Sequence, residues 1–362
     1  MTLRDKRQEE FANVFMDRST QKGRGILYLC PRFGKCRTAI RIFEKLGKFP
    51  SILIAYPDKE IKQSWIEEMK EVGYNNPNIT FTTHLSLKKH ISGKFDIVVI
   101  DEIHLLSDAQ INDSQPFMEG LVLGLTGTMS SWTERELSKR LEMNVLARYP
   151  IFKAIEEGVV TDYEITVKLV DLDDIIKNVY KSSVRTEKAQ FIAYGKVIDK
   201  LEQEGKETFY LRLARMRIIQ NSLAKLNATR KILNDNKDDR ILVFCGLIDI
   251  AEKLGCPVFH SKSDSSEDFD NFLNGQGNHM AVVKIGNTGK TYRPLNKVII
   301  NYFDSNSENL AQKIFRCMGM EYNNPGKKAS IIIVSSTEPT EKKWLDKALE
   351  FFDKTKIKYE KV

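Results

Sequence analysis

Along this chain, short apolar runs rich in β-branched residues alternate with longer stretches whose apolar positions recur at helical spacing. In the first half the runs are GILYLC (25–30), SILIAY (51–56), ITFTT (79–83), FDIVVI (95–100) and LVLGL (121–125). Apolar residues on consecutive rather than alternate positions mark strands buried on both faces, the habit of parallel sheets. Between them lie helix patterns: LRDKRQEEFANVF with Phe11, Val14 and Phe15 on one side, a second over about 36–46, and a third over about 60–72 enclosing Trp65 as a core residue. From Arg240 the alternation resumes with ILVFCG (241–246), CPVFH (256–260), MAVVKIG (280–286), KVIINY (297–302) and SIIIV (330–334). Two blocks of strand and helix predict an α/β protein with two parallel sheets and right-handed crossovers. We place the domains at 1–148 and 149–362. The second includes a charged, proline-free helical insertion or linker over about 173–225, whose best basic cluster is Arg212, Arg215 and Arg217. The tail 338–362 reads as a terminal helix with Trp344, Leu345 and Leu349 turned inward.

Composition narrows the classes. At 362 residues the chain can bury two cores, and 41% hydrophobic with 29% charged residues is ordinary for a globular protein. No apolar stretch approaches the roughly 18 residues of a membrane span, and the opening MTLRDKRQEE lacks the apolar centre of a signal peptide, so the expected location is the cytoplasm, with no membrane partner. Five scattered cysteines without a C-x-x-C pair indicate neither a zinc site nor a disulfide framework. A net charge of +7 permits, without requiring, a polyphosphate partner.

Two stretches carry chemistry. Asp101 and Glu102 follow the strand 95–100 at its C-terminal end, the edge where open parallel sheets bind ligands. A carboxylate pair there is placed to hold a metal ion and orient a water, although a strand stopping at a polar turn would look the same. The loop Pro31-Arg32-Phe33-Gly34-Lys35 joins a strand to a helix that begins near Cys36 and Arg37. Loop amides and a helix N-terminus converge on phosphates in that context, while the lysine adds a point charge. The pattern G-x-x-x-x-G-K-[S/T] is met loosely, with Leu29 at the first glycine and Cys36 at the hydroxyl. Cys36 is the serious departure, because a thiol is a poor ligand for magnesium.

Asp101-Glu102-Ile103-His104 spells D-E-x-H and resembles motif II, the Walker B element, of superfamily 2 helicases, the DEAD/DEAH-box class in the broad sense. Other stretches resemble that family's motifs in its order. Gln8 resembles the Q-motif glutamine, which can read the adenine edge; Pro57 lies in a motif Ia-like loop; Thr82, Thr83 and Ser86 resemble motif Ib. Thr126-Gly127-Thr128 resembles motif III, which couples nucleotide state to the grip on nucleic acid, and 241–246 resembles motif IV. GNTGKT (286–291) resembles motif V, with Gly289 toward the nucleotide and Thr288 and Thr291 toward the nucleic acid. Tyr292-Arg293-Pro294 after it argues against a second phosphate loop. QKIFRCMG (312–319) matches motif VI at Gln312 and Arg316 and departs at Phe315 and Gly319.

The resemblance implies two tandem RecA-like domains with ATP in the cleft between them. Pro31 to Arg37 would hold the phosphates, His104 would lie beside the nucleotide, Asp101 would carry Mg2+ with Cys36 a doubtful second ligand, and Glu102 would orient or deprotonate the attacking water. Gln312 would act in the same reaction, and Arg316 would approach the γ-phosphate as an arginine finger. It further implies nucleic acid, held largely without sequence preference and sensitively to salt. Thr126-Gly127-Thr128 and the passage 149–165 look closer to DNA-acting members, since a DEAD-box RNA enzyme would read Asp-Glu-Ala-Asp. The small size resembles compact bacteriophage helicases and the core of the branch-migrating type, which would place the chain in a host cytoplasm. Two alternatives stay open: an RNA-dependent ATPase of the same fold, and a nucleic-acid-binding or annealing factor that scarcely hydrolyses ATP, suggested by Cys36 and Gly319.

Overall fold

The computed structural model of the chain describes residues 1–17, 23–180, 183–283, 295, 297–303, 307–315, 328–350 and 352–362. It divides into two units, the first Met1–Thr161 and the second beginning at Asp162.

The first unit is a six-stranded, wholly parallel sheet. Its strands are β1 (Arg24–Leu29), β2 (Ile52–Tyr56), β3 (Ile79–Thr83), β4 (Ile97–Asp101), β5 (Val122–Thr126) and β6 (Val145–Tyr149), in the spatial order β3-β2-β4-β5-β1-β6. Every residue of β2, β4 and β5 is buried, which explains their unbroken apolar runs: helices cover both faces. These helices are α1 (Leu3–Met16), α2 (Lys35–Leu46), α3 (Lys59–Val72), α4 (Asp108–Ser114), α5 (Ser131–Leu141) and α6 (Ile151–Glu156). The order matters for the site, because β4, β5 and β1 are consecutive neighbours. The loops leaving their C-terminal ends are Asp101-Glu102, Thr126-Gly127-Thr128 and Pro31 to Gly34, so they lie side by side on one edge.

Helix α1 starts with a capping box, in which Thr2 and Asp5 each satisfy the other's backbone N–H. It then buries Gln8, Phe11, Ala12 and Phe15, a stripe at i, i+3, i+4 and i+7. Val14, expected on that stripe, is only half-buried. Phe11 stacks against Phe33 and Tyr149, with ring centroids 5.6 and 5.5 Å away. Phe33 and Tyr149 themselves lie 4.9 Å apart. This aromatic triangle anchors the Pro31–Gly34 loop to α1 and to the end of β6.

The second unit has a seven-stranded parallel sheet and one small antiparallel hairpin. In chain order its elements are β7 (Asp162–Val170), the hairpin strands β8 (Lys177–Tyr180) and β9 (Ser183–Thr186), α7 (Glu187–Gln203), α8 (Phe209–Gln220), α9 (Leu223–Asp235), β10 (Ile241–Cys245) and α10 (Ile248–Glu252). There follow β11 (Val258–His260), α11 (Glu267–Leu273), β12 (His279–Val283), β13 (Lys297–Ile300), α12 (Ser307–Ile314), β14 (Lys328–Ser336), α13 (Pro339–Ala348) and β15 (Ile357–Lys361). The sheet order is β11-β12-β10-β13-β14-β7-β15. Its interior is tied by a fully buried ion pair, Lys225 to Glu341 at 2.6 Å, and Glu341 also accepts the Ser336 N–H at 2.6 Å.

Three expectations are corrected here. The insertion is not all helix, since β8 and β9 form a hairpin before α7. The tail is not one helix: α13 ends at Ala348, and the chain returns as β15 along the exposed edge of β7. Leu345 and Leu349 turn inward as expected, whereas Trp344 is only half-buried. The basic cluster of α8 is largely engaged within its own hairpin of helices. Arg212 donates to Glu202, and the Arg215 guanidinium lies 4.0 Å from the centre of the Phe191 ring. No helix among the described residues is long and apolar enough to cross a membrane.

Candidate functional site

The site assembles on the C-terminal edge of the first sheet. The loop after β1 turns through Arg32 at φ 67° and Gly34 at φ 101°, both left-handed. Gly34 is also required by space, because a Cβ there would stand 2.5 Å from the Gln8 amide nitrogen. Gly34 is the N-cap of α2, with no side chain capping the helix, so the first-turn amides have no side-chain acceptor. The 12-residue helix directs its positive end at this spot.

Lys35, the first residue of α2, forms an ion pair with Glu102. Glu102 is held at φ 49°, the second non-glycine residue of the site in the left-handed region. Burial opposes charge on both partners. Glu102 and then Asp101 nevertheless hold the Lys35 ammonium above its ordinary value, while Lys35 and the Gly127 N–H hold the Glu102 carboxyl below its own. Asp101, 4% exposed, behaves differently: burial pushes it up to about 6, with Lys35 opposing and the Glu102 charge adding. Its Oδ2 accepts the indole N–H of Trp65 at 2.9 Å, and its Oδ1 accepts the Glu102 N–H at 3.0 Å. Its main-chain oxygen lies 2.9 Å from Nε2 of the buried His84.

His104 connects this pair to the next loop. Burial drives its pKa down to about 4, so the imidazole is neutral and its 3.5 Å approach to Glu102 is not an ion pair. The Thr126 hydroxyl spends its single proton on the Thr128 carbonyl at 2.6 Å. It therefore accepts from His104 Nδ1–H at 2.8 Å, which assigns the tautomer. Gly127 sits so close to the loop after β1 that a Cβ would meet Pro31 at 3.1 Å.

Gln8 is fully buried and donates from Nε2 to the Phe33 carbonyl at 3.1 Å. Its Oε1 is buried with no partner. An orphaned acceptor beside the phosphate loop fits the amino edge of an adenine. The donor set also fits magnesium, which keeps most of its waters and needs one carboxylate plus phosphates. Asp101 is the residue that would supply that carboxylate. Burial raises the Cys36 thiol well above its ordinary pKa, so it offers no anion. Among the described residues no group of three metal-binding side chains occurs.

The remaining sequence candidates fall as follows. Arg37 turns to α3, paired with Glu68 and, at 3.0 Å, with Glu71. Pro57 and Thr83 are half-buried at the ends of β2 and β3, whereas Thr82 is only 5% exposed and presents no side chain to the surface. Thr126 and Thr128 are buried. Thr288, Gly289, Thr291, Arg316 and the side chain of Gln312 lie outside the described residues. Sequence reasoning missed Trp65 and His84 as neighbours of Asp101. A buried indole N–H always needs an acceptor, but nothing in the spacing says which.

No family model matches the chain. A DNA 3'-5' translocase, XPB2 of Sulfurisphaera tokodaii, is 23% identical over 279 residues, 67% of this chain and 62% of the relative, so the chain spans less than two thirds of that protein's length. Among solved structures, an HsdR fragment of a type I restriction enzyme from Vibrio vulnificus is similar at a TM-score of 0.65 and 14% identity, covering 98% of this chain and 68% of that one. Dbp5 of S. cerevisiae, bound to RNA and ADP BeF3, is similar at a TM-score of 0.64 and 11% identity, covering 98% of this chain and 89% of that one. The chain therefore has the α/β fold of these neighbours, its two parallel sheets matching their tandem RecA-like domains. The edge carrying Lys35, Asp101 and Glu102 belongs to the first sheet.

Proposed function

We propose that the chain is an ATP-hydrolysing superfamily 2 helicase or translocase whose track is DNA. The observation that carries this reading is the convergence of Lys35, Glu102 and Asp101 from two loops, with Thr126 and His104 bonded behind them. Bound there, a magnesium triphosphate supplies the phosphoryl bond to be broken and the positive charge that offsets its oxygens. Lys35, released from Glu102, holds phosphate oxygens with the α2 amides, and Asp101 carries the metal. Glu102, freed of its lysine, orients the attacking water and takes its proton. Gln8 Oε1 accepts from the base. Gln312, Arg316 and Gly289 are assigned to the nucleotide by their spacing alone, as are Pro57, Thr83, Thr288 and Thr291 to the nucleic-acid backbone.

The DNA preference is supported by the named activity of the Sulfurisphaera tokodaii relative and by the Asp-Glu-Ile-His and Thr-Gly-Thr spellings. Backbone contacts of this kind read little sequence and weaken with salt. An RNA-dependent ATPase is the competing reading, since Dbp5 is a structural neighbour solved with RNA. The protonated Cys36 favours a third, a clamp that binds ATP and hydrolyses it slowly. One panel separates the three: ATP turnover and strand separation measured with single-stranded DNA, forked DNA and RNA at two salt concentrations. Stimulation by DNA above RNA, falling at the higher salt, is expected. Equal or greater stimulation by RNA overturns the DNA assignment, and tight ATP binding without stimulated turnover selects the clamp.

A further inference from the structure

Trp65 is wholly buried in α3, yet its one polar atom does not serve the core. The indole N–H reaches Asp101 Oδ2 at 2.9 Å while its ring lies against Phe43, with centroids 6.4 Å apart. With the Glu102 N–H on Oδ1, each carboxylate oxygen has one lone pair committed to the protein and one left over. His84 holds the main-chain oxygen of the same residue. Asp101 therefore has no freedom to rotate. That rigidity has a use in this chain, because the first turn of α2 carries Cys36, a soft sulfur where a hydroxyl would otherwise share the hard cation.

We propose that Trp65 is a positioning residue for the metal: its N–H locks the Asp101 carboxylate assigned to magnesium, in place of the second ligand the phosphate loop lacks. The inference rests on the nucleotide site described above. A fixed carboxylate pays no ordering cost when the cation arrives, as outer partners do for other metal ligands. A phenylalanine at this position keeps the ring and its packing but deletes the donor. The other two tryptophans are Trp132, exposed on α5, and Trp344, on α13, so Trp65 can also be made its own reporter.

Two measurements test this. In the first, binding of a non-hydrolysable ATP analogue is titrated against magnesium for the native chain and for Trp65→Phe. The magnesium concentration at half-saturation is expected to rise about tenfold, the worth of one hydrogen bond to a charged group, with the affinity at saturating magnesium kept. An unchanged half-saturation overturns the proposal. In the second, a Trp132→Phe, Trp344→Phe chain, whose sole tryptophan is Trp65, is titrated with manganese(II) and the same analogue. Quenching of Trp65 emission is expected, and unquenched emission with the analogue bound overturns the proposal even if Trp65→Phe fails to fold. If the native chain binds no nucleotide in a metal-dependent way, the proposed function itself falls, a result distinct from either of these.

Discussion

His104 Nδ1 lies 2.8 Å from Thr126 Oγ1, so the loop after β4 and the loop after β5 are joined by one buried hydrogen bond whose donor is fixed by Thr126's own bond to Thr128. Replacing Thr126 by valine keeps the shape and strands two polar groups, the His104 N–H and the Thr128 carbonyl. We expect a loss of about 1–3 kcal/mol in unfolding free energy. Nucleic-acid stimulation should fall more than basal ATP turnover; equal falls in both would remove Thr126 from coupling.

Lys35 and Glu102 neutralise one another, and each is assigned a separate task once nucleotide is bound. Lys35→Ala should lose nucleotide binding together with turnover. Glu102→Gln should bind normally and turn over about 10²- to 10⁴-fold more slowly, the usual worth of a general base. Binding by calorimetry beside stimulated ATPase rates checks this, and turnover surviving in both variants would move catalysis elsewhere.

Cys36 should limit the metal. Cys36→Thr adds a hard oxygen where the thiol is protonated, so the magnesium concentration needed for half-maximal turnover should drop and the rate at limiting magnesium should rise. A rate and magnesium requirement equal to those of the native chain would show that the hydroxyl is not what is missing.

Arg7, Tyr149 and Glu157 tie α1 to α6 and to the end of β6, behind the phosphate loop. Arg7 donates twice to the Glu157 carboxylate, at 3.0 and 2.5 Å, and the Tyr149 hydroxyl donates at 2.7 Å. The Arg7 hydrogen bonds hold the Glu157 carboxyl below 4.5, burial opposing and Tyr149 assisting. As pH falls, the unfolded chain takes up this proton before the folded one, so the stabilisation is complete above pH 4.5 and is lost as pH drops through the folded value. Because both side chains are partly exposed, about 1 kcal/mol is expected. Thermal unfolding of the native chain should steepen below pH 4.5 relative to Glu157→Gln; parallel curves would contradict this.

The doubly wound character of both domains was legible because each central strand is an unbroken apolar run, as β4 and β10 show. The polar edge strand β15 was not: IKYEK is mostly exposed and borrows its stability from β7, as when Glu360 pairs with Lys168, 192 residues away. The β8–β9 hairpin hid for a similar reason, being short and charged. At the site, the sequence placed a lysine, two carboxylates and a threonine loop at strand ends. It read Trp65 as core, which is true of its ring and misses its N–H.

By itself, then, the sequence determined the succession of strands and helices and which loop carries which chemical groups, because apolar periodicity and loop residues are local properties. Only the tertiary structure decided which loops are neighbours and which atoms meet. Lys35 finds Glu102 across 67 residues, Trp65 finds Asp101 across 36, and Gln8 finds Phe33 across 25. Those meetings depend on the order β4-β5-β1, set by crossovers that pack helices on both faces of the sheet. No local pattern of side chains encodes the partner at the far end of such a crossover.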